Sequence, residues 1–198
     1  SLKENSIIYI DKMLSAAGRM SSLINDLLSF SRLARTSDTG IKTDLNKILL
    51  DVTNDLEITI QNKQASIKYE KLPIIEGIPT QLYQLFFNLI GNALKFSRPG
   101  IKPEVTIKVE NFNNSSQDPA NPSGDFQEPF VRISIIDNGI GFENQYSDRI
   151  FEVFQRLHGR NEFEGTGIGL AICNRIVSNH RGIISAVGDL NKGSVFIV

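Results

Sequence analysis

Residues 79–96 limit the fold more than any other stretch. Leu82, Leu85, Phe86, Leu89, Ile90, Ala93 and Leu94 recur at helical spacing without a miss, so they form one broad apolar stripe. Pro79 suits the first helical position, where its missing N–H costs nothing. A helix this apolar belongs in a core. Beside the stripe runs a second line, Gln84, Asn88, Asn92 and Lys95, which shares one face. Asparagine is poor inside a helix because its side chain competes for backbone hydrogen bonds, and a solvated face would more naturally carry Glu, Lys or Arg. Two asparagines there invite a ligand. An amide oxygen is a hard neutral donor suited to Mg²⁺, which takes its remaining ligands from water and phosphates. The plainer alternative is a polar edge bonded to neighbouring loops.

The rest of the chain supplies layers to bury that helix. Strand signals fall at residues 41–43, 67–69, 74–78, 105–109, 131–136, 182–187 and 194–198. Asp44 can cap a helix carrying Ile48, Leu49, Val52, Leu56 and Ile60, another helix covers 167–179, and residues 147–154 suit a short one. Residues 111–127, rich in Asn, Ser, Asp, Pro and Gly, read as an extended hairpin loop, and 188–193 as a hairpin turn. Mixed helices and strands with at least two hairpins predict an α+β sandwich, a mixed and largely antiparallel sheet with helices on one face. A long amphipathic helix, 7–33, precedes it: Ile10, Met13, Ala17, Met20, Ile24 and Leu27 form a heptad-like seam, broadened by Leu14, Leu23 and Leu28. That seam needs a second helix to cover it. The polar stretch 35–40 marks a boundary between residues 1–38 and 41–198.

A net charge of −1 and a pI near 6.1 leave no footprint for nucleic acid or an anionic membrane. The single cysteine, Cys173, excludes a disulfide framework and fits a reducing compartment, and with only His158 and His180 beside it a zinc site is disfavoured.

Two glycine-rich turns complete the pattern. The apolar run ending at Ile136 breaks into Asp137-Asn138-Gly139-Ile140-Gly141, placing an acid at a strand end and glycines where a close approach needs no Cβ. An ordinary turn is the simplest account, and a calcium loop fails for want of alternating oxygen ligands. Gly165-Thr166-Gly167-Ile168-Gly169-Leu170 opens a helix, where backbone N–H groups and the helix dipole favour an anion. It matches neither the Rossmann fingerprint nor Walker A.

Together these motifs resemble the ATP-binding domain of bacterial sensor histidine kinases, in the wider family of gyrase B, heat-shock chaperone ATPases and MutL. Asn88-Leu89-Ile90-Gly91-Asn92-Ala93-Leu94-Lys95-Phe96-Ser97 is similar to its N box. Asp137 to Gly141 resembles its first glycine box, Phe151-Glu152-Val153-Phe154-Gln155-Arg156 its F box, residues 165–169 its second glycine box, and Lys192-Gly193-Ser194 with Phe196 its terminal glycine motif. The resemblance covers residues 41–198, and the wording of 155–169 is closest to phytochrome-like and PAS-linked kinases. Residues 23–32 resemble the second helix of the dimerisation and phosphotransfer hairpin.

The resemblance implies a Bergerat-type fold, ATP and Mg²⁺ as cofactors, and transfer of the γ-phosphate to a histidine. By it Asp137 accepts a hydrogen bond from the adenine amino group, with Gly139 and Gly141 beneath the base. Asn92 coordinates Mg²⁺ beside Asn88, Lys95 meets phosphate, and Arg156 stabilises γ-phosphate charge. Phe96, Phe151, Phe154, Gly165, Thr166, Gly167, Gly169 and Leu170 complete the nucleotide site, with residues 154–165 as a lid. It further implies a response-regulator partner, a homodimer formed through the N-terminal hairpin of the full-length protein, and a cytoplasmic location for this stretch, whether or not the full-length protein is anchored in a membrane; neither nucleic acid nor direct membrane contact is expected of the stretch itself.

Two departures bear on mechanism. Asn88 stands where hydrolysing relatives carry a glutamate base, which favours phosphotransfer over hydrolysis. No His-Glu/Asp-x-x-x-Pro acceptor box occurs, so the chain is expected to be a fragment whose acceptor lies on a preceding helix. His158 reads as a loop residue and His180 as a helix end. A nucleotide-gated interaction module without transfer is the alternative from another class. An ATPase of the gyrase or heat-shock chaperone sort comes third.

Overall fold

A computed structural model of the protein describes residues 2–33, 40–112, 130–157, 163 and 165–198. The chain runs α1 (Leu2–Leu33), β1 (Ile41–Asp44), α2 (Leu45–Asp55), α3 (Glu57–Lys63), β2 (Ser66–Tyr69), β3 (Ile74–Gly77), α4 (Pro79–Lys95), β4 (Glu104–Phe112), β5 (Phe130–Asp137), α5 (Gly169–Asn179), β6 (Ser185–Asp189) and β7 (Gly193–Ile197). Five strands form a sheet in the order β2-β4-β5-β7-β6, antiparallel except for the β2–β4 pair. A separate antiparallel pair joins β1 to β3. The α+β sandwich expected from the pattern is the observed architecture.

Helix α4 is the centre of the core. Phe86, Leu89, Ile90 and Leu94 are fully buried with Leu45 and Leu49 of α2, Ile172 and Ile176 of α5, and Ile107 and Ile135 of the sheet. Each such side chain contributes roughly 1.5–3 kcal/mol relative to exposure. Cys173 of α5 is fully buried, its Sγ 4.0 Å from the Leu85 carbonyl, and burial pushes its thiol up to about 12.

Local chemistry fixes the helix ends. Asp44 Oδ1 accepts from the Asn46 N–H at 2.9 Å, the cap foreseen for α2. Lys63 Nζ donates to the Leu94 carbonyl at 2.7 Å, against the end of α4 where cations are favoured. His180 ends α5 as expected: Nδ1 lies 2.8 Å from the Ile176 carbonyl, and Nε2 accepts from the Ile78 N–H at 3.0 Å. That pairing requires the neutral Nδ1–H tautomer.

Two expectations change. The helix capped by Asp44 is not continuous: Leu56 has ψ of 2° and separates α2 from α3. Residues 147–154 hold no α-helix. Instead there are 3₁₀ turns at Asn144–Tyr146 and Arg149–Phe151, and Phe154 takes a φ of 66° that ends any helix. The 35–39 linker, the loop residues 113–127 and His158 lie outside the described residues.

Helix α1 has two faces. Leu23, Phe30 and Leu33 pack against the core, and the Leu33 carbonyl accepts from Asn179 Nδ2 at 3.1 Å. Ile10, Met13, Leu14, Met20, Ile24, Leu27 and Leu28 are exposed, so most of the predicted seam is uncovered among the described residues. No helix among those residues is long and apolar enough to cross a membrane.

Candidate functional site

A cavity of about 280 Å³ opens between the polar line of α4, the turn after β5, the start of α5 and the beginning of β7. Asn88, Asn92, Lys95, Phe96, Asp137, Gly141, Arg156, Gly165, Thr166, Gly167, Gly169 and Leu170 all line it, so the topology gathers residues the sequence separates widely.

One end is a carboxylate in an apolar frame. Asp137 terminates β5, where Ile140, Phe142, Ile150 and Phe196 supply hydrophobic wall. Its Oδ1 accepts from the Gly139 N–H at 2.7 Å and the Ser194 N–H at 3.3 Å, and Oδ2 accepts the Ser194 hydroxyl. Burial raises the Asp137 carboxyl above its ordinary value, and the Ser194 hydroxyl is the strongest of the influences pulling it back. The turn itself is locked by its neighbours. Arg98 donates to the carbonyls of Asn138 and Asn191 at 2.8 and 2.7 Å, and the Ile140 N–H reaches the Phe96 carbonyl at 2.9 Å. Gly141 has φ of 63°, and a Cβ there would lie 2.1 Å from the Asp189 carbonyl oxygen. Only glycine lets the turn close on β6.

The other end is polar. Asn88 Oδ1 already accepts from Gln84 Nε2 at 3.1 Å, while its Nδ2 donates to the Gly169 carbonyl at 3.2 Å. Asn92, one turn on, has no hydrogen bond to its side chain among the described residues. Of the two amides, Asn92 has the oxygen available for a hard cation, which fits the donor chemistry of Mg²⁺. Lys95 Nζ sits 4.3 Å from the centre of the Phe96 ring, and a Cβ on Gly165 would come within 2.6 Å of it. The glycine turn therefore rests directly against the lysine.

Four predicted residues are placed otherwise. Gly139 does not line the cavity, and a Cβ there would lie 2.5 Å from the Phe96 carbonyl oxygen. Phe151 lies outside the cavity, in a shallow groove with Phe30 of α1 and Ala171 and Arg175 of α5. Phe154 is exposed. Both aromatics are drawn off by the turns around residue 150, which direct Ile150 rather than Phe151 inward. Arg156 lines the cavity, but its guanidinium donates to the Gly165 and Phe163 carbonyls at 2.8 and 2.6 Å. It braces the turn.

Sequence reasoning passed over Ser194, Phe163 and Asp26. Ser194 follows the glycine of the terminal motif, Phe163 meets Phe96 with ring centres 5.0 Å apart, and Asp26 comes from α1. The carboxylate, amide, lysine and helix head suit a molecule that is flat and hydrogen-bonding at one end and anionic at the other.

Comparison with known proteins agrees. Residues 77–198 match the family described as histidine kinase-, DNA gyrase B- and HSP90-like ATPases. Cyanobacterial phytochrome A of Nostoc sp. is 36% identical over 188 residues, 95% of this chain and 22% of that protein. Phytochrome-like protein Cph1 of Synechocystis sp. is 33% identical over 197 residues, 99% of this chain and 24% of that protein. This chain thus spans about a quarter or less of these relatives. Among solved structures, full-length ShkA in complex with AMPPNP superposes with a TM-score of 0.71 at 26% identity, covering 96% of this chain and 37% of that one. Histidine kinase ThkA in complex with the response regulator protein TrrA shares the fold, with a TM-score of 0.66 at 20% identity over 96% of this chain and 49% of that one.

Proposed function

Because this chain belongs to the family of histidine kinase-, DNA gyrase B- and HSP90-like ATPases, we propose that residues 41–198 are the ATP-binding catalytic domain of a two-component sensor histidine kinase. Helix α1 is then the second helix of its dimerisation and phosphotransfer hairpin. The observation that carries this reading is the division of one cavity into a carboxylate end and an amide-lysine-helix end. A response-regulator receiver domain as partner, a homodimer formed through the hairpin and a cytoplasmic location belong to the same reading.

Asp137 accepts the adenine amino group, the apolar walls enclose the base, and Gly139 and Gly141 let the turn that carries Asp137 close against Phe96 and β6. Lys95 and the amides of residues 165–169 receive the phosphates. Asn92 holds Mg²⁺ beside Asn88, and the ion neutralises developing charge when bound. Arg156 serves by bracing the carbonyls of Phe163 and Gly165, and the γ-phosphate role that the family resemblance implies for it requires releasing them. In the transfer the bond from the γ-phosphorus to the bridging oxygen breaks, a bond to an imidazole nitrogen of the acceptor forms, ADP leaves with the electron pair, and the imidazole proton passes to solvent. Asn88 is an amide and cannot take a proton from water, which favours transfer over hydrolysis.

Given γ-labelled ATP and a separate acceptor hairpin, this chain is expected to place acid-labile, base-stable phosphate on the hairpin and none on itself. ATP binding without transfer would support a nucleotide-gated module instead, and phosphohistidine at His158 or His180 would refute the site assignment.

The raised Asp137 carboxyl sets a pH dependence. Its ionised form is the better acceptor for the adenine amino group, so adenosine affinity is expected to fall on acidification while the pH is still above the ordinary value of 3.8. In Ser194→Ala the fall should move to higher pH, because the hydroxyl is the leading influence lowering that carboxyl. Calorimetry across the acid range checks both, and coincident profiles would remove Ser194 from this role.

A further inference from the structure

Helix α1 meets the rest of the molecule along a narrow stripe. Leu23, Phe30 and Leu33 pack against the core, and helical spacing places residue 26 on the same line. That line calls for an apolar residue, yet the residue is Asp26. Its carboxylate is half-buried in the cavity wall, where Oδ2 accepts the Thr166 hydroxyl at 2.6 Å. The same Thr166 oxygen lies 3.4 Å from the Ile168 N–H at the head of α5, as an acceptor for it. A negative charge is therefore stationed beside the glycine turn and helix head that would receive phosphates.

We propose that Asp26 is a charge sensor that sets phosphate binding against docking of α1; the inference rests on the nucleotide site argued above. With no phosphate present, Asp26 takes the Thr166 hydroxyl and ties α1 to the cavity rim. A polyphosphate at the head of α5 competes for that hydroxyl and repels the carboxylate, so the two events oppose each other. The coupling is reciprocal: whatever factor the docked helix costs the triphosphate, the triphosphate costs the docked helix. Adenosine carries no such charge and escapes the effect.

The test compares AMPPNP with Mg²⁺ against adenosine, on this chain and on Asp26→Asn, which keeps the shape and an acceptor for Thr166 while removing the charge. AMPPNP is expected to bind the variant about 3- to 10-fold more tightly at low salt, with the gap narrowing as salt screens the repulsion. Adenosine is expected to bind both chains equally. Hydrogen exchange in the second half of α1 is expected to quicken when AMPPNP, but not adenosine, binds the unsubstituted chain. Equal AMPPNP affinities, or a gain shared equally by adenosine, would overturn the proposal. Weaker AMPPNP binding by the variant would also overturn it, by making Asp26 a ligand instead of an opponent. If the unsubstituted chain binds neither compound, the nucleotide site itself falls and this inference with it, a result distinct from the other three.

Discussion

Asn92→Ala is expected to remove at least about 100-fold of Mg²⁺-dependent ATP affinity and a similar factor of phosphotransfer, since even outer-sphere partners of a metal are worth 10–100-fold. The effect should be confined to the metal. Adenosine binding is expected to be unchanged, because Asp137 and the apolar walls lie at the other end of the cavity. Asn88→Ala is expected to cost less, because its carbonyl oxygen is already occupied by Gln84 and its amide by Gly169. Titrating both variants with ATP in the presence of Mg²⁺ or a chelator separates the contributions. An Asn92→Ala chain as Mg²⁺-dependent as its parent would transfer the metal to another residue.

The second large effect is at the opposite end. Asp137→Asn is expected to weaken ATP binding about 10- to 100-fold, the worth of a hydrogen bond to a charged group, and to narrow the preference for ATP over GTP. The fold should survive, since an asparagine oxygen can still accept from the Gly139 N–H that now lies 2.7 Å from Asp137 Oδ1. Competition between ATP and GTP, with a melting curve for each chain, checks both parts. Unchanged discrimination would reduce residues 137–141 to a structural turn.

Much of the architecture was legible because burial imposes a period. The α4 stripe reads directly, and so does its amide line, because residues four apart on a helix share a face whatever surrounds them. Breaks were harder to see. Apolar spacing runs on through Leu56, which is buried even though the helix changes course there, so α2 and α3 look like one element. Phe151 and Phe154 carry the opposite difficulty: an aromatic in a loop looks the same whether it meets a ligand, a neighbouring helix or solvent, and the turns around them decide which. Asp26 and Thr166 stand 140 positions apart, and no local pattern announces a contact of that span. Ser194 was visible within its motif, but its bond to Asp137 depends on the β5–β7 register.

Cys173 lies fully buried between α4 and α5, with its thiol pushed up to about 12. Alkylating reagents attack the thiolate, so this sulfur reacts only in the moments when those helices part. Both helices also form the cavity. The rate at which Cys173 is alkylated is therefore expected to count the openings of the interface that Asn88 and Gly169 clasp, and to fall when a nucleotide fills the cavity.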